Sequence, residues 1–391
     1  MNKTNVLFVS HSGSAGGAEK CLLDLISRLD TKKFNIFVNI PYSGPMTKAF
    51  DEAGISYFIS HTDCWITSNK DGFFVSAFKF FSTLRARIWA LEEKIERLNI
   101  DIVYSNSVTC IDGAIAAQRM ATPHIWHLHE NVGPNTALRA FLPLPLIRAI
   151  LRKTRTSYIA TSAAVEQQLV PCLACIVVPN GVDTNIFSPE KNQHLYQELN
   201  LDQSVAIITI IGTIMPAKGI SIYVEAALQL LEASASSLHF VIVGDGEENY
   251  IDQLKQLIDT HDRSEHFSFL GQRPDIPNIL NASYILVVAS YSEGFSRVTV
   301  EAMATAKPVV ATRCGGPESI ITNDETGLLI PTGDPTALSA KIKHLIDHPK
   351  LADEIGRNGR QHVIDHFSMA KHVTKIEGLI TAAHSGSVKN D

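Results

Sequence analysis

Short β-branched runs alternate along the chain with longer segments of helical period. In the first half the strand-like runs fall at residues 6–10, 35–40, 55–60, 102–107, 124–129, 157–161 and 176–179. Helical periodicity fills several of the gaps, as at 18–29 and 46–53. Pro179-Asn180-Gly181-Val182-Asp183 is a turn cluster, and residues 188–203 are polar with little apolar content. The pattern then restarts at 206–212, 239–245, 267–271, 284–290, 308–312 and 327–331. Alternating strand and helix implies parallel sheets covered on both faces. Two such runs imply an α/β chain of two doubly wound domains, residues 1–183 and 184–368. Residues 369–391 are read as a helix around 370–382, packing back on the first domain, and a frayed polar tail. Ligands of doubly wound sheets sit outside the carboxyl ends of the strands, and a cleft between two domains is the natural site.

Composition narrows the class. With 391 residues, 45% hydrophobic, the chain is no disordered segment, and six cysteines are too few for a disulfide scaffold. Arg139 and Arg148 interrupt the best apolar stretch, so no run reaches the ~18 residues of a spanning helix. The opening Met-Asn-Lys-Thr-Asn runs straight into a strand-like segment, unlike a signal peptide, and a soluble cytoplasmic protein is expected. The net charge of −6 is uneven. Residues 1–185 carry 18 Lys+Arg against 15 Asp+Glu, giving +3; the remaining 16 against 25 give −9. Neither half is basic enough for a nucleic-acid partner.

Four strand ends carry candidate chemistry. Residues 10–19 hold Gly16, Gly17 and Glu19 between the first strand and the first helix, where backbone N–H groups can meet an anion; a flexible capped loop is the plainer reading. Gly212-Thr213 leads to Lys218-Gly219 after the first strand of the second domain, where a lysine can neutralise a phosphate; the P-loop spacing is absent, and taken alone such a lysine is more often a solvated surface residue. Val243-Gly244-Asp245-Gly246 lacks the last glycine of a dinucleotide fingerprint and is rejected as one. The fourth, Ser290 to Ala304, reads as strand end, acidic loop and helix. Glu293 stands before the helix and Glu301 two turns into it, among Val300, Ala302 and Met303. Carboxylates there suit sugar or ribose hydroxyls, and the helix start suits a phosphate. The alternative is a helix-start charge and a buried, paired glutamate.

These residues, in this order, resemble glycosyltransferase family 4. The resemblance rests on Gly16-Gly17-Ala18-Glu19, the 179–183 turn with Phe187, Lys218-Gly219, Glu293-Gly294-Phe295 with Glu301, Gly315-Gly316-Pro317-Glu318 and Thr326-Gly327-Leu328-Leu329. It runs from about Val6 to Phe367. It implies the GT-B fold, two Rossmann-like domains facing a central cleft, the first for an acceptor and the second for a nucleotide-sugar. It also implies retaining sugar transfer, of the kind used in bacterial surface-polysaccharide assembly, with no metal or other cofactor. Glu301 would hold the ribose and Glu293 the sugar hydroxyls. Backbone N–H groups at Phe295 and Ser296, with Gly294, Gly16, Gly17 and Gly212 alongside, would line the donor, and Lys218 would assist at the diphosphate. Thr213 stands where many relatives have Arg, which shifts weight to Lys218, Arg273 and Arg297. Ser296 replaces a common glycine and Ala289 a common proline. A non-transferring nucleotide-sugar enzyme of epimerase type, or a non-catalytic binder, is the alternative.

His124-Ile125-Trp126-His127-Leu128-His129-Glu130 ends a first-domain strand, with His127 and His129 on one face. A metal site, a structural pair, or a family-like contact of His129 with the donor sugar are the three readings. Two stretches without acids, 72–91 and 131–165, mix aromatic and basic residues. The first holds Phe73, Phe74, Phe78, Lys79, Phe80, Phe81, Arg85, Arg87 and Trp89. The second holds Arg139, Phe141, Leu142, Leu144, Ile147, Arg148, Arg152, Lys153 and Arg155. Core-packing helices with solvated charges stand against an anionic membrane surface, the latter implying a lipid-linked or membrane-associated acceptor and a peripheral location. Cys172-Leu173-Ala174-Cys175 is a lone C-x-x-C, read as buried thiols.

Overall fold

The structure is a computed structural model. It describes the chain except residues 1–2, 68–72, 133–135, 137, 141, 155, 172, 192, 234–236 and 387–391, and the side chains at 67, 73–76 and 139. Phe141, Arg155 and Cys172, and the side chains of Phe73, Phe74 and Arg139, therefore lie outside the described residues.

The chain divides into two compact units, Met1–Gly181 with Met369–Asp391, and Val182–Ser368. The first contains β1 (Thr4–Ser10), α1 (Gly17–Ile26), β2 (Phe34–Ile40), α2 (Pro45–Glu52), β3 (Tyr57–Ile59), β4 (Ile66–Thr67), α3 (Phe73–Arg97), β5 (Ile102–Asn106), α4 (Asp112–Arg119), β6 (His124–Leu128), β7 (Arg139–Ala140), α5 (Leu144–Lys153), β8 (Ser157–Ala160), α6 (Ala163–Leu169) and β9 (Cys175–Val177). The second contains α7 (His194–Glu198), β10 (Ala206–Ile211), α8 (Ile220–Ala233), β11 (Leu238–Val243), α9 (Glu248–Asp259), β12 (Phe267–Phe269), α10 (Ile276–Ala282), β13 (Ile285–Val288), α11 (Arg297–Ala304), β14 (Val309–Thr312), β15 (Leu328–Ile330), α12 (Pro335–Asp347) and α13 (Pro349–His366). The last helix, α14 (Met369–His384), returns to the first unit.

Each unit is built on one parallel sheet. The first runs β3-β2-β1-β5-β6-β8-β9 and the second β12-β11-β10-β13-β14-β15. In each the chain winds outward one way, then restarts beside its first strand and winds the other way. That places a switch point between β1 and β5 and another between β10 and β13. Strands read as apolar runs because both faces are covered: every residue of β11, β13 and β14 is buried. In β10, Ile208 and Ile210 face one cluster with α8 and α12, while Ile207 joins a different one on the opposite face. In the first unit α14 closes one face, with Val373, Ile376 and Ile380 packed on Phe8, Ile125 and Val178.

Several details differ from the sequence reading. The polar stretch 188–203 is not a bare linker, since it contains α7, whose Leu195 is buried. A two-stranded antiparallel pair, β4 with β7, carries too few residues for a periodic signal. Cys175 is half-buried rather than buried, and burial pushes its thiol up to about 12. Phe80 and Arg87 are core residues, and Arg148 donates from Nε to the Gln168 carbonyl at 2.8 Å, so these three are not surface groups awaiting a partner.

Candidate active site

At the switch point of the second unit, β10 ends at Ile211 and β13 at Val288, and their loops converge. Gly212 donates its N–H to the Val243 carbonyl at 2.9 Å, tying the end of β10 to the end of β11, and Thr213 is exposed beyond it. The chain turns through Pro216 to Lys218 and reaches Gly219 at φ +64°. A Cβ there would stand 2.0 Å from the Ala289 carbonyl oxygen, so only glycine allows this loop to close on the end of β13. The Tyr291 N–H donates to the Ala217 carbonyl at 2.9 Å, completing the contact.

That closure places Lys218 against Glu293, with Nζ 2.6 Å from Oε1. The Ser290 hydroxyl donates to the same oxygen at 2.7 Å. Glu293 is held from behind: its N–H donates to the Cys314 carbonyl at 3.0 Å, and its carbonyl accepts from Gly316 at 2.8 Å. The loop after β14 therefore fixes the backbone of the loop after β13. Burial and the neighbouring Glu293 charge push the Cys314 thiol up to about 12, so it stays protonated.

Phe295 and Ser296 are both buried, and Ser296 stands at the head of α11. The Phe295 ring packs 6.2 Å from Phe367. The Ser296 hydroxyl accepts from Thr299 at 2.8 Å and makes no side-chain cap on α11. One turn on, Arg297 donates to Glu301 Oε1 from Nε at 3.3 Å and Nη2 at 3.2 Å. Glu301 is thus half-buried and paired within its own helix. Arg273 is held between two carboxylates. It meets Glu198 at 2.5 and 3.0 Å and Asp275 at 2.8 and 2.9 Å, and these raise its pKa further. Arg273 is thus paired with two carboxylates, where Lys218 is paired with one.

The first unit has its own polar cluster at the carboxyl ends of β1, β5 and β6. Gly16 stands at the head of α1, where a Cβ would fall 2.6 Å from Glu19 Oε2; Gly17 has open space beside it. The Glu19 carboxylate accordingly lies over the helix start, and His11 Nε2 approaches its other oxygen at 3.0 Å. Burial opposes charging His11, but the Glu19 hydrogen bond and the Glu19 and Glu130 charges outweigh it and raise its pKa. His129 follows β6 and is buried, its Nε2 2.9 Å from Asn106 Oδ1. The Asn106 amide nitrogen donates to the Ala18 carbonyl at 3.1 Å. A carbonyl only accepts, so the Asn106 oxygen must face His129 and the His129 proton sits on Nε2. His127 lies beside His129, ring centroids 4.0 Å apart, and shares a 2.7 Å hydrogen bond with Tyr104. Burial, then His129 and His372, hold His127 well below its ordinary value, so it is neutral.

The structure thus brings Lys218, Glu293, Gly294, Phe295, Ser296 and Glu301 onto one loop-and-helix system, and His129 onto the Gly16–Gly17 loop through Asn106. Asn106, Tyr104, His11 and Ser290 received no role from the sequence; the polar run closing a buried strand at Ser105-Asn106 was the available signal. Among the described residues no group of three His, Cys, Asp or Glu side chains is arranged to hold a metal ion.

Two parallel-sheet units of Rossmann type, each with its polar residues at the carboxyl strand ends, define the GT-B class. The family model described as Glycosyltransferase Family 4 matches residues 15–186, and that described as Glycosyl transferases group 1 matches 192–362. The chain belongs to this group 1/family 4 lineage and is a glycosyltransferase that takes its sugar from a nucleotide-sugar. It is 26% identical, over 97% of both chains, to UDP-Gal:alpha-D-GlcNAc-diphosphoundecaprenol alpha-1,3-galactosyltransferase of Escherichia coli. Its fold matches that of Anabaena HepE in complex with UDP, with a TM-score of 0.81 at 22% identity over 97% of this chain and 100% of that one. A glycosyltransferase from Rickettsia africae matches with a TM-score of 0.80 at 22% identity over the whole of both chains.

Proposed function

We propose that the protein transfers a hexose from a uridine diphosphate sugar to a polyprenol-diphosphate-linked glycan, with retention of anomeric configuration and no metal ion. The observation that carries the donor half is the Lys218–Glu293 pair, held by Ser290 at a switch-point strand end beside the α11 N-terminus. A leaving nucleoside diphosphate gains charge as the glycosidic bond breaks, and fixed donors that meet that charge lower the barrier. In this reading Lys218 and the N–H groups at Phe295 and Ser296 take the diphosphate. Lys218 carries most of the side-chain charge, because position 213 is Thr, Arg273 is engaged by Glu198 and Asp275, and Arg297 by Glu301. Glu293 accepts from sugar hydroxyls, and Glu301 accepts from the ribose while Arg297 holds its Oε1. His129 and the Gly16–Gly17 loop serve the sugar and phosphate from the first unit. A donor phosphate oxygen takes the acceptor proton, so no side chain is assigned as general base.

The acceptor half rests on the Escherichia coli relative, whose name specifies a diphosphoundecaprenol-linked GlcNAc acceptor and a UDP-Gal donor and which aligns over nearly the full chain. The complexes of Anabaena HepE with UDP and UDP-glucose support uridine as the base. The test is to incubate the protein with an α-linked UDP-hexose and a polyprenol-diphosphate-linked sugar in buffer containing EDTA, and to read the anomer by NMR. An α-linked product formed at the same rate with and without EDTA is expected. A β-linked product overturns retention, and dependence on added metal overturns the metal-free reading.

A further inference from the structure

The 25-residue α3 buries one face and, among the described residues, exposes large aromatic side chains beside it. Phe80, Arg87, Ile88, Leu91 and Ile95 face the core. On the far side Phe78 is 75% exposed, Phe81 60% and Trp89 64%, with exposed Arg85 among them. At about 100° per residue, positions 78, 81, 85 and 89 fall within an arc of roughly 80°. Rotation of α3 cannot hide this stripe. Arg87 forms a buried pair with Asp112 of α4, Nε to Oδ2 at 2.7 Å and Nη2 to Oδ1 at 3.2 Å, and its guanidinium lies 4.7 Å from the Phe80 ring centroid.

A second element points the same way. In α5, Ile147 and Leu151 share a buried cluster with Phe80, while Leu146 is exposed and Arg152 and Lys153 are exposed in the last turn. The β4–β7 pair joins the chain entering α3 to the chain entering α5. No acidic residue occurs in 72–91 or in 131–165. Large exposed aromatics beside cations and away from acids suit the interface of an anionic bilayer, where rings enter the headgroup boundary and cations meet phosphates. A second copy of this chain fits less well, because a two-fold contact on the stripe would set Arg85 against its own counterpart.

We propose that the outward face of α3, continued by the end of α5, docks the protein on an anionic lipid surface. This deepens the proposed function and rests on its membrane-bound acceptor. Co-sedimentation and tryptophan emission of the full chain are measured with phosphatidylcholine vesicles, with and without phosphatidylglycerol. Trp65 and Trp126 are buried, so a blue shift on binding reports Trp89. Binding and a blue shift with anionic vesicles are expected, with Trp89→Phe keeping the binding and losing the shift. Phe78→Ser/Phe81→Ser/Trp89→Ser should weaken binding at least roughly tenfold, and Lys79→Gln/Arg85→Gln should remove the preference for anionic lipid. UDP binding by both variants, unchanged from the native chain, reports an intact fold. No vesicle binding, binding indifferent to these substitutions, or a stripe-dependent dimer without vesicle binding overturns the docking face. A protein that binds vesicles through the stripe but glycosylates no lipid-linked acceptor overturns the acceptor reading and upholds the docking face. Transfer to that acceptor in detergent without vesicle binding does the reverse.

Discussion

The first-unit site depends on one orientation, that of His129. Its proton is placed by Asn106, and Asn106 is placed by the Ala18 carbonyl in the first turn of α1. His129→Ala is expected to lower kcat/KM by about 100-fold, the scale of losing one group that meets developing charge. The stability cost should stay at about 1–3 kcal/mol, that of leaving the Asn106 oxygen unpaired. Near-native turnover of this variant would remove His129 from the site. The sequence singled out His129 because a strand-terminal histidine is conspicuous. It could not show Asn106, because strands β5 and β6 become neighbours only through the sheet order. Arg273 illustrates the opposite case. The family resemblance, with Thr213 where many relatives have Arg, suggests Arg273 for the phosphate, and only the fold reveals that Glu198, 75 residues away, already holds it.

At the scale of elements, strand positions were readable because parallel strands buried on both faces are unbroken apolar runs, and β11 and β13 are of this kind. The short β4–β7 pair and α7 were not, since two to five residues carry no period. Faces of helices were readable only in part: α3 mixes Phe80 and Phe81, one buried and one exposed, and nothing in residue type separates them. Element packing also sets the acid response. Burial holds His124 of β6 down to about 3 and His372 of α14 down to about 4, the latter hydrogen-bonded to the Pro179 carbonyl at 2.8 Å. Their unfolded forms bind protons near pH 6.5, so each contributes stability that is complete above that value and is lost as pH falls toward 4. His11, raised in the folded state, is protonated in both states through the lower part of this window and does not offset the loss. The unfolding free energy should therefore fall between pH 6.5 and 4.5, by up to about 1.4 kcal/mol per pH unit for each such histidine, and the urea midpoint with it. His372→Asn, which keeps a donor for Pro179, should make the decline shallower; an unchanged slope would show that His372 does not titrate on unfolding.

For the molecule as a whole, the repeat of the strand–helix pattern on either side of Pro179 made two doubly wound units legible, and six short motifs in register made the family legible. The return of α14 to the first unit follows from apolar spacing at Val373, Ile376 and Ile380, which finds its cover only against β6 and its neighbours. The uneven charge, +3 before residue 186 and −9 after it, sets a problem that the fold resolves locally. The acidic second unit holds an anionic donor, in the proposed function, with one lysine and a helix start rather than with bulk charge. That claim is tested most directly by calorimetric titration of UDP into the full native chain and into Lys218→Ala and Glu301→Gln. The account expects native binding that exceeds binding of GDP and ADP, and a loss of about tenfold or more, about 1.4 kcal/mol, in each variant. Equal UDP affinity in all three proteins would place the nucleotide elsewhere and contradict it.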